Sequence, residues 1–357
     1  MGANAGGGKN MAVRDTSSQA RKSVLMRNKK GLFYIIVSSM LVIVFIVIFL
    51  AYKQYSLADR QRVTETRIRT INDFIRDIES DSPRVIFISG FRSLIAVEDY
   101  VARKGHYLND SEELFRVAFY NGTVNNTAVD VLVNSTYSDY LRKLKEIAGR
   151  IGIDIDINVT RIELFQQSPW SVTVNVTALI SLTDRKGLAR WGFNKTYSAN
   201  VSILSIRDPV YSVATRGLVP NAINISSITD LDNGFVGPSN DTTSLSTHVN
   251  YSYYVHNSQA PSFLMRLEGN FNSSECCGIE SFIYMPRLSE QGFTVNSSRS
   301  IIDYIYFSND SIITAHYDAT ACNVKNMQSW FIIDTRHINP LAGQPDYIEN
   351  LNYTICP

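Results

Sequence analysis

GLFYIIVSSMLVIVFIVIFLAY, residues 31–52, carries no charged side chain. An α-helix of about 20 apolar residues crosses the hydrocarbon core of a bilayer, so this run is read as one membrane-spanning helix. It exceeds the roughly 7–15 apolar residues of a secretory signal. No second run of this kind follows. Residues 1–30 therefore lie on one side of the membrane and residues 53–357 on the other.

Flanking charge sets the orientation. Arg27, Lys29 and Lys30 stand directly before the run and Lys53 alone directly after it. Basic residues near a span favour the cytoplasmic side, which puts the N-terminus in the cytoplasm. Arg60, Arg62, Arg67 and Arg69 follow further along and dilute the bias. Glycosylation sequons strengthen it. Asn-x-Ser/Thr begins at Asn109, Asn121, Asn125, Asn134, Asn158, Asn175, Asn194, Asn200, Asn224, Asn240, Asn250, Asn272, Asn296, Asn309 and Asn352, all after the span. Such a one-sided set points to a surface that meets a glycosylation machinery. The competing reading is a polar, Asn-rich β surface without sugar.

Cys276, Cys277, Cys322 and Cys356 also follow the span. An even count outside the cytoplasm favours disulfides. Adjacent cysteines close only a tight eight-membered ring, so Cys276 and Cys277 are expected to reach Cys322 and Cys356, in either order. A thiolate metal site is the rival, but no CxxC pair or suitably spaced His supports it. The net charge of +1 leaves no basic footprint for nucleic acid.

Residues 1–26 form a Gly/Ala/Ser-rich basic tail without apolar period. Gly2 suits N-myristoylation, but Gly6 stands where that signal wants Ser or Thr. Beyond the span, residues 53–82 read as a neck helix. Ile68, Ile71, Ile75 and Ile78 form one stripe, widened by Phe74. Gln54–Arg67 offers only Leu57 and Val63 to bury. Pro83 is expected to end this helix. Span and neck together would make a rod of about 50 residues, roughly 75 Å at 1.5 Å per residue.

Residues 83–216 read as an α+β domain. Val85–Ser89 is a short strand or the start of a helix through Arg103. Glu112–Phe119 and Tyr137–Arg150 are helices, the second with Tyr140, Leu141, Leu144 and Ile147 on one face. Ile153–Leu164, Val172–Leu182 and Tyr197–Ile206 alternate apolar and polar residues, the signature of an antiparallel meander with one wet face. Residues 217–250 are rich in Ser, Thr, Asn and Gly and read as a linker or long loop. Residues 251–357 then carry short apolar runs, Phe263–Leu267, Ile279–Met285, Ile301–Phe307, Ile312–Tyr317 and Trp330–Asp334, expected to be strands of a β-rich, disulfide-containing domain. The fold class is α+β.

Chemistry-bearing motifs are sparse. GxSxG, HExxH, Walker A and GxGxxG are all absent. His316 with Asp318, or Asp334 with His337, supplies half of a triad at most. Asp154, Asp156 and Asn158 share one strand face, which suits a calcium ion, an acid–base pair, or a solvated sheet face. Asp230, Asp232 and Gly234 faintly outline a calcium loop that lacks the oxygen ligand at position five and the Glu at position twelve. Tyr251, Tyr253 and Tyr254 cluster and suit either sugar stacking or a packed strand. No catalytic residue, metal or cofactor is expected.

Lys29-Lys30-Gly31, followed at once by LFYIIVSSMLVIVFIVIFL, resembles an archaeal class III signal peptide, the substrate of type IV prepilin peptidases. The resemblance implies that Lys30 and Gly31 form the peptidase recognition pair and that Leu32 becomes the mature N-terminus. It further implies a polymerising apolar helix, an amphipathic neck and a β-rich head. The long leader, the large head, and Ile36 where bacterial pilins carry Glu depart from that pattern. The other reading of the same residues is an uncleaved signal-anchor. The expected function is thus a single-pass, extracytoplasmic surface glycoprotein with a structural role. Its partners are the lipid bilayer and, through the neck, like subunits or other surface proteins. A tethered carbohydrate- or protein-binding module and a tethered hydrolase are the alternatives.

Overall fold

Helix α1 (Ser17–Lys104) continues through the stop expected at Pro83. The computed structural model describes residues 17–227, 235–308, 321–338 and 345–348, with side chains from residue 31 onward except that of Pro238. These residues belong to two units, one ending at Arg69 and one starting at Thr70.

In the first unit, α1 exposes every residue from Gly31 to Tyr55. Its neck portion is solvated. Thr64 and Thr66 donate to the carbonyls of Arg60 and Arg62 four residues back, and Arg69 pairs with Glu65 at 2.6 Å. Leu57, Val63 and Ile68 stay exposed.

In the second unit, the rest of α1 becomes a core helix. Ile71, Phe74, Ile78, Ile86, Leu94, Val97 and Val101 are all buried in one cluster with the sheet. This packing overrides Pro83. A proline in a helix removes one backbone hydrogen bond and crowds a carbonyl, about 3 kcal/mol, whereas each fully buried Leu or Ile gains about 1.5–3 kcal/mol. Ser82 donates to the Ile78 carbonyl at 2.6 Å beside the interruption. The Val85–Ser89 run is therefore helix, with Ile86 inward and Phe87 and Ile88 outward.

Helix α2 (Ser111–Asn121) starts where Asp110 accepts from the Glu113 amide and stops at Gly122, φ +76°. A two-residue hairpin pairs β1 (Thr123–Val124) with β2 (Thr127–Ala128). Helix α3 (Tyr137–Arg150) opens on a capping box between Thr136 and Asp139. It buries Tyr137, Leu144 and Ala148, while Ile147, expected on that face, is exposed.

The meander forms as expected, from β3 (Ile153–Ser168), β4 (Ser171–Asp184) and β5 (Arg190–Ser202), all antiparallel with β4 central. Strand β5 begins earlier than Tyr197 because the Asp184–Gly187 turn lets Arg190 pair at once with Thr183. On β4, Val172, Val174, Val176, Ala178, Ile180 and Leu182 face the helices and are buried. Gly90 of α1 sits against this face. A Cβ there would lie 2.9 Å from a Val201 methyl and 3.5 Å from one of Val174. Gly90→Leu is expected to destabilise this unit by about 1–3 kcal/mol through overpacking. Thermal unfolding of the full chain in detergent checks this, and Val201→Ala should recover part of the loss.

Most of the remaining elements build a second apolar cluster around Phe282, Ile302, Phe331 and Tyr347, while Tyr254, Phe263, Leu267 and Ile279 join the first. The remaining elements are α4 (Pro209–Ala214), α5 (Thr243–Asn250), β6 (Tyr254–His256), α6 (Phe263–Glu268), β7 (Ile279–Ser281), α7 (Met285–Glu290), α8 (Asp303–Phe307), β8 (Ala321–Asn323), β9 (Ile332–Asp334) and α9 (Thr335–Ile338). This region is mixed rather than β-rich. The runs 263–267 and 301–307 are read as strands from sequence but form helices, and 279–285 splits into a strand and a helix start. Short apolar runs buried on several sides carry no period that separates strand from helix. Part of the expected linker is packed, since α5 buries Leu245, His248 and Val249. The run 312–317 lies outside the described residues.

Cys276 and Cys277 are bonded to each other, not to Cys322 or Cys356 as expected. The loop before β7 turns at Glu275, φ +63°, and holds the buried Cys277 sulfur 3.3 Å from the Gln166 carbonyl. That places both sulfurs side by side. Cys322 sits in β8, paired with β9, and is disulfide-bonded. Cys356 lies outside the described residues.

Candidate functional site

Two features stand out, one in each unit. The first is the apolar stretch of α1. Its most apolar 18-residue window has a mean hydropathy of 3.0, and none of it is covered by protein. β-Branched and aromatic residues point outward all round, which in water would expose far more apolar surface than a soluble monomer carries. The stretch is long and apolar enough to span a membrane. Gly31 stands at its start, where an added Cβ would meet no neighbour within 4 Å, and Lys30 precedes it.

The second feature is a buried charge network that the sequence reading missed. Arg266, on α6, is fully buried. It donates to Asp208 at 2.9 Å, to Asp303 at 2.8 Å and to the Ile279 carbonyl at 2.7 Å. The rings of Tyr254 and Tyr304 lie 5.8 and 5.9 Å from its guanidinium carbon. Tyr254 also donates to Asp208 at 2.6 Å, and the Ser281 hydroxyl donates to Asp303 at 2.9 Å. Burial pushes the Asp303 carboxyl up to about 7, with Asp208 adding to the rise and Arg266 opposing it.

A second set adjoins it through Tyr304, whose hydroxyl reaches Glu280 at 3.3 Å. Glu280 also accepts from Asn257 at 2.8 Å and from Tyr347 at 2.7 Å. His337 bridges two carboxylates. Its Nδ1 lies 2.8 Å from Asp334 and its Nε2 lies 3.3 Å from Glu280. Burial alone would lower the imidazole pKa, but Asp334 and Glu280 together hold it well above the usual histidine value. The ring is thus an imidazolium clamped between anions. Asp334 and His337, half of a possible triad in sequence, do pair. The group at the far nitrogen is a carboxylate, so no nucleophile completes the set.

These residues left a faint trace. Arg266 in FLMRL, Glu280 in IESFI and Asp303 in IIDYI are each a single charge inside an apolar run, and Asp334 ends the run FIID. A charge that such a run carries into the core is almost never fully buried without a partner. Their partners, however, are remote in sequence.

Other candidates fall differently. Asp154 pairs with Arg185 at 2.9 Å on the open sheet face. No group of three His, Cys, Asp or Glu side chains is arranged to hold a metal ion among the described residues. Asp230, Asp232 and Gly234 lie outside the described residues, as do His316, Asp318, Asn309 and Asn352. Tyr254 is committed to the Arg266 network, while Tyr251 and Tyr253 stack at 5.5 Å with Tyr251 exposed. Every other sequon asparagine is exposed, apart from the half-buried Asn175 and Asn240. A groove of about 640 Å³ runs between the 95–104 segment of α1 and the β1–β2 hairpin region, lined by Ile95, Tyr100, Arg103 and Val131. Its Arg103 is paired with Asp99 at 2.9 Å.

No family model, curated protein or solved structure matches this chain.

Proposed function

We propose that this protein is a single-pass membrane protein whose residues after the span stand outside the cytoplasm and serve a structural role at the cell surface. The observation that carries the reading is the uncovered, uncharged helix surface from Gly31 to Tyr52. Basic residues before it and exposed sequons after it support the orientation. The buried charge network supports a structural role for the second unit. Its ionisable groups are spent on one another, which fits a rigid head better than a reactive site.

The finer reading is a pilin-like filament subunit. Leu57, Val63 and Ile68 are apolar, exposed and spaced along the neck, and they would form the contacts between subunits. Cleavage after Gly31 would remove Arg27, Lys29 and Lys30. Each costs about 2.5–3.5 kcal/mol at the bilayer centre, so their loss makes withdrawal of the helix into a filament far easier.

N-terminal sequencing of protein from its native membrane is the test. A start at Leu32, abolished by Gly31→Phe, is the expected result. An intact N-terminus would reject the filament reading and leave a signal-anchored surface protein. External protease on intact cells should degrade the region after residue 55, and full protection of that region would reject the orientation.

A further inference from the structure

We propose that the outer face of the β3–β4–β5 sheet carries two N-linked glycans, on Asn158 and Asn194, that flank and cover Leu179. The proposal rests on the extracytoplasmic reading above.

Alternation on β4 turns its even-numbered apolar residues toward the helices. Ser171, Thr173, Asn175, Thr177, Leu179 and Ser181 face the other way. Leu179 breaks this polar row and is 48% exposed. The strand register sets it opposite Asn158 on β3 and opposite Asn194 on β5. Neighbouring strands lie about 4.8 Å apart. The backbones at Asn158 and Asn194 therefore stand about 10 Å apart, with Leu179 midway. Both asparagines are exposed, and each opens a sequon, Asn158-Val159-Thr160 and Asn194-Lys195-Thr196. The C–H faces of the first sugar of each glycan would close over the leucine side chain and take apolar surface out of water.

The same face holds an internal control. Asn175 also opens a sequon, but it sits on the central strand, half-buried, opposite Glu163 on one side and Ser198 on the other. The two flanking sites are on edge strands and open to solvent. Asn175 is expected to stay bare.

The donor is a polyprenyl-phosphate-linked oligosaccharide. The asparagine amide nitrogen attacks its anomeric carbon, a C–N bond forms, and the C–O bond to phosphate breaks. The lipid phosphate leaves, and the amide proton passes to a base of the transferase.

Intact-glycopeptide mass spectrometry on the full chain from its native membrane tests this, alongside external proteolysis of the same cells. Glycan on the Asn158 and Asn194 peptides with none on Asn175 is the expected result. Glycan on Asn175 at the level of its neighbours would overturn the selectivity. Bare Asn158 and Asn194 on a chain that external protease degrades would overturn the proposal while the orientation stands. Bare sequons on a fully protected chain would sink the orientation, and the proposal with it. A second measurement addresses Leu179. In a Leu179→Cys chain, adding Asn158→Gln and Asn194→Gln as a double variant should raise the rate of labelling at residue 179 by a water-soluble maleimide at least twofold. No rise in the double variant would overturn the covering role.

Discussion

Arg266→Met is expected to lower the stability of the second unit by about 3–5 kcal/mol, the usual loss when one member of a buried ion cluster is removed. Asp208 and Asp303, both buried, would then face each other without a cation. Asp208 also caps α4, accepting from the Val210 amide at 2.8 Å, and Asp303 accepts from the Tyr304 amide at 2.6 Å. Asp208 cannot rotate to solvent without uncapping α4, and Asp303 cannot without giving up the Tyr304 amide and the Ser281 hydroxyl. Domains hold about 5–15 kcal/mol in total, so the loss removes a large share of the margin. Urea unfolding of the full chain in detergent reads it directly. Adding Asp208→Asn and Asp303→Asn to Arg266→Met removes the uncompensated charge and should recover much of the loss. A single-variant loss under about 1 kcal/mol would show that the cluster is not the clamp described here.

Stability of the same unit is expected to be greatest in mild acid and to fall as pH rises past neutrality. Asp303 is held up to about 7 in the fold, chiefly by burial, against about 3.9 unfolded. Between those values the folded chain keeps a proton that the unfolded chain releases, so stability falls with rising pH. Its contribution is whole below about pH 3.9 and is lost through pH 7. His337, raised above its unfolded value of about 6.5, continues the decline on the alkaline side. Glu280 and Asp334 oppose this only in strong acid. Burial alone would raise both, but His337 outweighs it and holds them low. Their contribution is present above about pH 4 and is lost as pH falls through their lowered values. The optimum therefore falls near pH 4–5, and the decline toward pH 8 amounts to a few kcal/mol. Thermal midpoints across pH 4–9 test this, and Asp303→Asn should flatten the fall between pH 5 and 7. A midpoint that climbs steadily from pH 5 to pH 8 would contradict the assignment.

Several features were legible from local sequence alone. The apolar run at residues 31–52 is legible as a helix long and apolar enough to span a membrane, because that fitness depends on length and charge within one segment. Helix α3 was placed over Tyr137–Arg150 by the helical spacing of Tyr140, Leu141, Leu144 and Ile147, and the Thr136–Asp139 capping box seen in the structure fixes its start. The three long strands followed from period-two alternation. What only the tertiary structure decided involves partners distant in the chain. Pro83 reads as a stop until Ile86, Leu94 and Val97 are seen buried with the sheet, which makes continuing the helix worth the lost hydrogen bond. Phe263–Leu267 and Ile301–Phe307 have no period long enough to choose a state, and burial chose helix. Asp208 and Arg266 are 58 residues apart, and His337 and Glu280 are 57 apart. Leu179 meets Asn158 and Asn194 only through strand register. Local periodicity and end caps act over a few residues and are written in them. The meeting of buried charges depends on how the whole chain closes, and no short stretch of it carries that information.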